Sequence, residues 1–296
     1  MLSGGGNRGP LQVGALIALL QAGIVPEMIV GSSAGALNGA FLALDPCLAQ
    51  ARAMTELWRE AGRRKIVNAN PVAKLLRLAR GDAYIVDNAR MRRFVHDMLP
   101  ADRRCFGDLP IPLWVTIAHL VTHTLYVYGD DPKAIIADAI VTSAAVPGFF
   151  PPLIQAQETF VDGGVVSNLP VQLAIARGAT EIWAIDLAIR MNIPQHPPAA
   201  LGIMGMSVMP LLYKQMLLEL EAGARTHGVT LHHVPIYDHQ AVALGDFKHN
   251  EAMFTAGEKV MQTYLEKPEP NVVHYPARHM THELPQGPAG SRPFIL

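Results

Sequence analysis

A serine lies between two glycines in the segment GSSAG, residues 31–35, where Gly31 and Gly35 flank Ser33 at a spacing of two residues. The segment follows the apolar run MIV (28–30), which predicts a short strand, and precedes an apolar stretch that predicts a helix. This strand–turn–helix setting is what a serine nucleophile requires, because a sharp turn exposes the hydroxyl and only very small neighbours fit beside it. Ser33 is therefore a candidate nucleophile. The alternative is a glycine-rich turn whose serines only cap the helix.

Three consecutive glycines, Gly4, Gly5 and Gly6, stand near the start of the sequence and precede a predicted helix. A backbone without side chains can present several N–H groups together, and such a group of donors beside a helix can stabilise an oxyanion. The spacing of Gly4, Gly6 and Gly9 also fits the dinucleotide-binding pattern G-x-G-x-x-G, which needs an acidic residue at the end of the next strand. That strand, 28–30, ends in GSSAG instead, so we favour the oxyanion interpretation.

An aspartate followed by two glycines, Asp162–Gly164, comes directly after the apolar segment TFV (159–161). In α/β folds ligands bind at the edge of the sheet where the strands end, so a carboxylate at this position is a candidate site residue. Two glycines after it allow other backbone segments to approach closely. Taken alone, however, the pair Asp-Gly is more typical of an ordinary β-turn.

In this order the motifs GGGNRG, GSSAG and DGG resemble those of the patatin-like phospholipases. The runs SAAVPGFFPP (143–152) and DGGVVSNLPV (162–171) resemble the segments around the family's aspartate, and the resemblance covers about 1–60 and 110–190. It implies acyl hydrolysis of lipid esters by a Ser–Asp dyad without a catalytic histidine. Ser33 would be the nucleophile and Asp162 its base, while the oxyanion region would comprise Gly4, Gly5, Gly6 and Arg8.

One departure from the family pattern concerns the start of the chain. The family normally has several strand residues before the glycine loop, whereas only Met1–Ser3 precede it here. Either the chain start is trimmed or the first strand is unusually short.

Other serine chemistries stay open from the sequence. A Ser-His-Asp esterase of the α/β-hydrolase type needs a histidine after the acid. Nine histidines satisfy this order: His196, His227, His232, His233, His239, His249, His274, His279 and His282. An acyltransferase or a non-catalytic lipid-binding protein are further alternatives, although a pure binder has no need of a strained serine turn. No cysteine or carboxylate pattern supports a metal site near these histidines, and we expect neither metal nor cofactor.

Predicted helices and strands alternate, which favours a three-layer α/β/α fold with a central, mostly parallel sheet and helices on both faces. Helices are expected at 11–22, 36–44, 48–98 with breaks near Pro71 and Gly81, 131–144 with Asp131 as its cap, 169–179 and 250–266. Strands are expected at 28–30, 113–120, 124–129, 159–161, 181–188 and 229–236. We expect one domain over 1–296, with the catalytic motifs within 1–190 and additional helices, a strand and a tail in 191–296.

A methionine-rich stretch at 204–216 leads into an amphipathic helix that Ser207 and Pro210 are expected to open. Its apolar face carries Met209, Leu212, Met216 and Leu220 at helical spacing. We favour a helix that packs into the core. The alternative is a flexible apolar lip that meets acyl chains or a membrane surface.

Composition sets the remaining limits. Half of the residues are apolar and 17% are charged, so a large buried core is expected. A formal net charge of -1 gives no electrostatic reason to bind nucleic acid or a strongly anionic membrane. The two cysteines, Cys47 and Cys105, make no disulfide framework, and we expect no signal peptide or membrane-spanning helix. We expect a cytoplasmic protein that acts on a lipid or ester, and we leave peripheral membrane contact and the oligomeric state open.

Overall fold

The computed structural model describes residues 1–67, 70–187, 200–237 and 245–275. Its strands in chain order are β1 (Ile29–Ser32), β2 (Leu113–His119), β3 (Thr124–Tyr128), β4 (Leu153–Gln155), β5 (Glu158–Asp162), β6 (Glu181–Asp186) and β7 (Thr230–Pro235). Its helices are α1 (Gly9–Gln21), α2 (Ala34–Ala43), α3 (Leu48–Arg63), α4 (Pro71–Arg80), α5 (Ala89–Met98), α6 (Ile136–Ser143), α7 (Val171–Ala176), α8 (Ala200–Ala224) and α9 (Asn250–Glu266). None of the described helices is long and apolar enough to span a bilayer.

Strand β2 organises the half of the sheet that carries the sequence motifs. It pairs in parallel with β1, where Ser32 lies opposite Thr116, and antiparallel with β5, where Asp162 lies opposite Ile117. Strand β3 pairs with residues 115–119 of β2 and therefore occupies its other edge. Because β1 and β5 share one edge of β2 and run towards each other, their last residues meet at neighbouring register positions.

Leu2 joins this half of the sheet to the parallel pair β6–β7. It bridges in parallel to Gly31 on one side and to Ile185 on the other. The Leu2 N–H donates to Val30 O at 2.9 Å, and the Ser3 N–H donates to Ile185 O at 3.2 Å. The three residues before the glycine loop therefore make the strand contacts that hold the loop at the carboxyl ends of β1 and β6.

Helices cover both faces of the sheet, which confirms the α/β/α fold class. On one face α1 is buried along nearly its whole length, among α2, α3 and α9. A Cβ atom on Gly257 of α9 would lie 1.8 Å from Leu11 O, so glycine is required where the α1 and α9 backbones touch. On the other face α7 and α8 pack on β6 and β7, with Met216 and Leu220 buried between them. Both side chains therefore belong to the core, as the favoured interpretation expected.

Two local expectations were wrong, and one element was not anticipated. Helix α6 begins at Ile136 rather than near Asp131, because the Asp131 carboxylate accepts from the Lys133 N–H and so caps a turn instead. Pro210 lies inside α8, which begins ten residues earlier, and does not open the helix. The short strand β4 had no expectation at all. Of the proline-rich segment MNIPQHPPAALG (191–202), residues 191–199 lie outside the described residues and the rest begins α8, and of the tail from 267 only the part up to residue 275 is described.

Candidate active site

Ser33 lies at the turn between β1 and α2 in a backbone conformation that residues other than glycine rarely adopt. Its φ is 53° and its ψ is -117°. A Cβ atom on Gly31 would lie 2.4 Å from Gly35 O, and one on Gly35 would lie 2.2 Å from Leu2 O. Both glycines are therefore needed for the strand and the helix to approach this closely. Strain of this kind persists only where the surrounding structure imposes it, and it is concentrated at functional sites.

The surroundings of Ser33 hold the turn in place. The Ser33 N–H donates to Ser143 Oγ at 2.8 Å, and the Ser143 hydroxyl donates to Thr116 O at 2.7 Å. Ser33 makes no side-chain capping bond to α2, and the buried hydroxyl of Ser32 has no hydrogen-bond partner among the described residues. The alternative in which these serines only cap the helix therefore fails.

Asp162 is the last residue of β5 and is 6% exposed. Its carboxylate accepts a hydrogen bond from the Gly164 N–H at 2.8 Å, and the nearby Ser33 side chain lowers its pKa. Burial raises the pKa of Asp162 from 3.8 to about 6, and Ser33 and the Gly164 N–H offset only part of that rise. The carboxylate is therefore a stronger base than an exposed aspartate, yet mostly ionised at neutral pH.

The glycine loop lies against Ser33. A Cβ atom on Gly4 would lie 3.0 Å from Ser33 Cβ, and the Gly4 N–H donates to Asn168 Oδ1 at 2.9 Å. The N–H groups of Gly5 and Gly6 have no acceptor within the part of the chain that the structure describes. Gly6 also has a φ of 59°, which favours glycine. Two backbone donors next to the serine turn are thus available to a negatively charged oxygen.

Arg8 holds the loop from the other side. Its buried guanidinium donates to Leu187 O at 3.1 Å and to Ile236 O at 3.3 Å, just after the ends of β6 and β7. Burial lowers the pKa of Arg8, and the charge of Asp186 opposes this shift. The membership of Arg8 in the oxyanion region stays a prediction, and these contacts give its side chain an anchoring role there.

Two residues of the site had no role in the sequence interpretation. Asn168 binds Gly4 through its amide, and Ser143 fixes the Ser33 backbone. Both lie within the runs 143–152 and 162–171 that carry the family resemblance. The signal was therefore present, but a role for either residue depends on a sheet register that a single sequence does not reveal.

A catalytic histidine and a metal centre are the alternatives to this arrangement. No histidine in the described ranges hydrogen-bonds to Ser33 or Asp162: the His232 ring stacks on Trp183, and His233 Nε2 lies 3.5 Å from Asp186 Oδ2. His196, His239, His279 and His282 lie outside those ranges. The described residues also contain no group of three or more side chains that could hold a metal ion.

A family model for the patatin-like phospholipases matches residues 1–175, more than half of the chain and including Ser33 and Asp162. This chain belongs to the patatin-like phospholipase family. Similar relatives include patatin-like phospholipase domain-containing protein 7 of Rattus norvegicus, 28% identical over 64% of this chain and 13% of its own length. Lysophospholipase NTE1 of Mycosarcoma maydis is 29% identical over 68% of this chain and 10% of its own length. This patatin-like chain therefore spans only a small part of these much longer relatives.

Solved structures with some likeness to this family member include VipD from Legionella pneumophila, with a TM-score of 0.46 and 15% identity over 90% of this chain and 66% of that one. ExoU has a TM-score of 0.38 and 14% identity over 91% of this chain and 53% of its own. At these scores neither structure supports a functional comparison.

Proposed function

We propose that the chain is a lipid acyl hydrolase that uses Ser33 as nucleophile and Asp162 as general base. The observation that carries the proposal is the pairing of a strained serine with a nearby buried carboxylate whose pKa is raised to about 6. A base with a pKa just below the working pH combines a high ionised fraction with a useful driving force for proton transfer.

In the first half-reaction Ser33 Oγ attacks the ester carbonyl while its proton moves to the Asp162 carboxylate. The N–H groups of Gly5 and Gly6 stabilise the oxyanion of the tetrahedral intermediate. Collapse breaks the ester C–O bond, and the leaving alcohol takes the proton from Asp162. In the second half-reaction a water gives its proton to Asp162 and attacks the acyl-serine. Ser33 Oγ then leaves with that proton, and the free acid is released.

A dyad is favoured over a Ser-His-Asp triad by the surroundings of the carboxylate. The partners that influence the pKa of Asp162 are Ser33 and the Gly164 N–H, and no described histidine is among them. An aspartate in a triad instead hydrogen-bonds to the imidazole that serves as base. Here the side chain that lowers the pKa of the carboxylate is that of the serine itself, which supports the dyad.

Hydrolysis of a panel of p-nitrophenyl esters, lysophospholipids and phospholipids tests the proposal. We expect turnover in the unaltered chain, loss of turnover in Ser33→Ala, and substantial activity in the matched control Ser32→Ala. Lipid binding without turnover would favour the non-catalytic alternative, and acyl transfer to an added alcohol in place of hydrolysis would favour an acyltransferase.

A further inference from the structure

Helix α4 turns apolar side chains towards solvent. Leu75 is 69% exposed and Leu76 is 50% exposed, and Val72 and Ala79 are exposed as well. The four positions follow the i, i+3, i+4, i+7 pattern, so they form one stripe along the helix. A helix of a folded domain normally places such a stripe on the core. On α4 it faces outwards, and we call these four residues the α4 stripe.

Cationic side chains accompany the α4 stripe. Helix α4 contains Lys74, Arg77 and Arg80 and no acidic residue, and the segment 71–93 has six basic and two acidic residues. The formal net charge of the whole chain is only -1, so positive charge is concentrated here. The overall charge had given no reason to expect an anionic partner, because a global sum hides a local cluster of this kind.

A short series of contacts links α4 to the candidate active site. The Arg77 guanidinium lies 5.0 Å from the centre of the Tyr84 ring, and Tyr84 pairs with Gly148. The N–H of Val86 donates to Phe149 O at 2.9 Å. The loop that contains Gly148 and Phe149 follows Ala145, whose carbonyl oxygen accepts from the Asp162 N–H at 3.0 Å. The α4 stripe therefore lies on a segment that packs against the loop next to the general base.

We propose that α4 is a docking surface for an anionic lipid membrane. A short helix with an exposed apolar stripe and flanking cations can lie in the plane of a membrane interface, with apolar side chains among the acyl chains and cations at anionic headgroups. Lipid is favoured over a protein partner because the apolar stripe and the cations occur together on α4, beside a site proposed to act on lipid esters. In this respect the inference rests on the proposed function, but binding can be measured without turnover.

Co-sedimentation with vesicles of phosphatidylcholine, alone or mixed with phosphatidylserine, tests the apolar part. We expect Leu75→Ser combined with Leu76→Ser to weaken binding to the mixed vesicles by at least about tenfold. Matched controls are Val25→Ser and Leu218→Ser, whose native side chains are 54% and 51% exposed elsewhere on the surface. Each control should bind like the unaltered chain, because it exposes a comparable apolar side chain that is not on α4.

The cationic part has its own comparison. Lys74→Gln combined with Arg80→Gln should weaken binding to the mixed vesicles, and added salt should weaken binding of the unaltered chain in the same way. The control Lys259→Gln combined with Lys267→Gln removes two exposed charges near the end of α9 and should leave binding unchanged.

Two results would overturn the proposal. One is equal vesicle binding by the α4 variants and their controls. The other is that the unaltered chain does not bind vesicles but self-associates in size-exclusion chromatography, and that replacing Leu75 and Leu76 abolishes the self-association. A second copy of the chain would then cover the α4 stripe. Failure of the proposed function appears differently, as absent hydrolysis of soluble esters, and it would leave the vesicle result intact.

Discussion

Replacing Asp162 with asparagine keeps the shape of the side chain but removes its charge and its ability to take a proton. Burial raises the pKa of Asp162 from 3.8 to about 6. Each pKa unit corresponds to about 1.4 kcal/mol, so the ionised carboxylate lowers the free energy of unfolding by about 3 kcal/mol at high pH. The folded state keeps the proton to a higher pH than the unfolded chain does. The penalty is therefore nearly absent below about pH 4 and develops as the pH rises through about 6.

Asp162→Asn should accordingly be more stable than the unaltered chain at about pH 8, by up to about 3 kcal/mol, while losing hydrolysis by at least about a thousandfold. Urea unfolding at about pH 4 and about pH 8, followed by circular dichroism, measures the gain, which should nearly vanish at the lower pH. Asp82→Asn, which removes a carboxylate from an exposed position, is the control. An Asp162→Asn variant that gains no stability at the higher pH, or gains equally at both, would refute the reasoning.

Three further expectations concern the base, the glycine loop and the core. The acid limb of kcat/KM should lie near pH 6 because burial raises the pKa of Asp162 to about 6, and it should persist when each histidine after residue 190 is replaced by alanine. A single histidine whose replacement lowers kcat/KM by about a thousandfold without unfolding the chain would favour a triad over the dyad. Asn168→Ala should lower kcat by about tenfold, equivalent to about 1.4 kcal/mol in the barrier, because the Gly4 N–H loses its acceptor. Steady-state kinetics measures this loss. A melting curve that falls while kcat stays unchanged would contradict a role for Asn168 in positioning the glycine loop. In urea titrations, Leu220→Ala should lower the free energy of unfolding by about 2–5 kcal/mol. Leu218→Ala, at an exposed position, should lower it by less than about 0.5 kcal/mol. Similar losses in the two variants would show that Leu220 does not belong to the core.

The sequence predicted the local setting of each motif but not how the motifs meet. Strand-to-helix turns follow from apolar runs and glycines, so the turn around Ser33 could be anticipated. The approach of Asp162 depends on β5 running antiparallel along the edge of β2 that β1 also uses. These strands are far apart in the sequence, and a single sequence does not reveal which distant strands become neighbours in the sheet.

The environment of each side chain could not be predicted from the sequence either. The sequence places glycine N–H groups next to Asp162 but does not reveal how deeply its carboxylate is buried. Burial raises the pKa of Asp162 by more than Ser33 and the Gly164 N–H lower it. An acid limb near pH 6 therefore cannot by itself distinguish aspartate from histidine. Similarly, the periodicity of 71–80 indicates an amphipathic helix but cannot reveal that its apolar stripe lies on the surface.

The central claim, that Ser33 is a nucleophile activated by Asp162, is tested most directly by labelling with a fluorophosphonate and mapping the adduct by mass spectrometry. The tryptic peptide 9–52 contains only two serines, Ser32 and Ser33, so fragmentation between them assigns the site. We expect one adduct, on Ser33, that forms far more slowly in Asp162→Asn and is absent in Ser33→Ala. An adduct on Ser32 or another serine, or equal labelling of the unaltered chain and Asp162→Asn, would contradict the dyad.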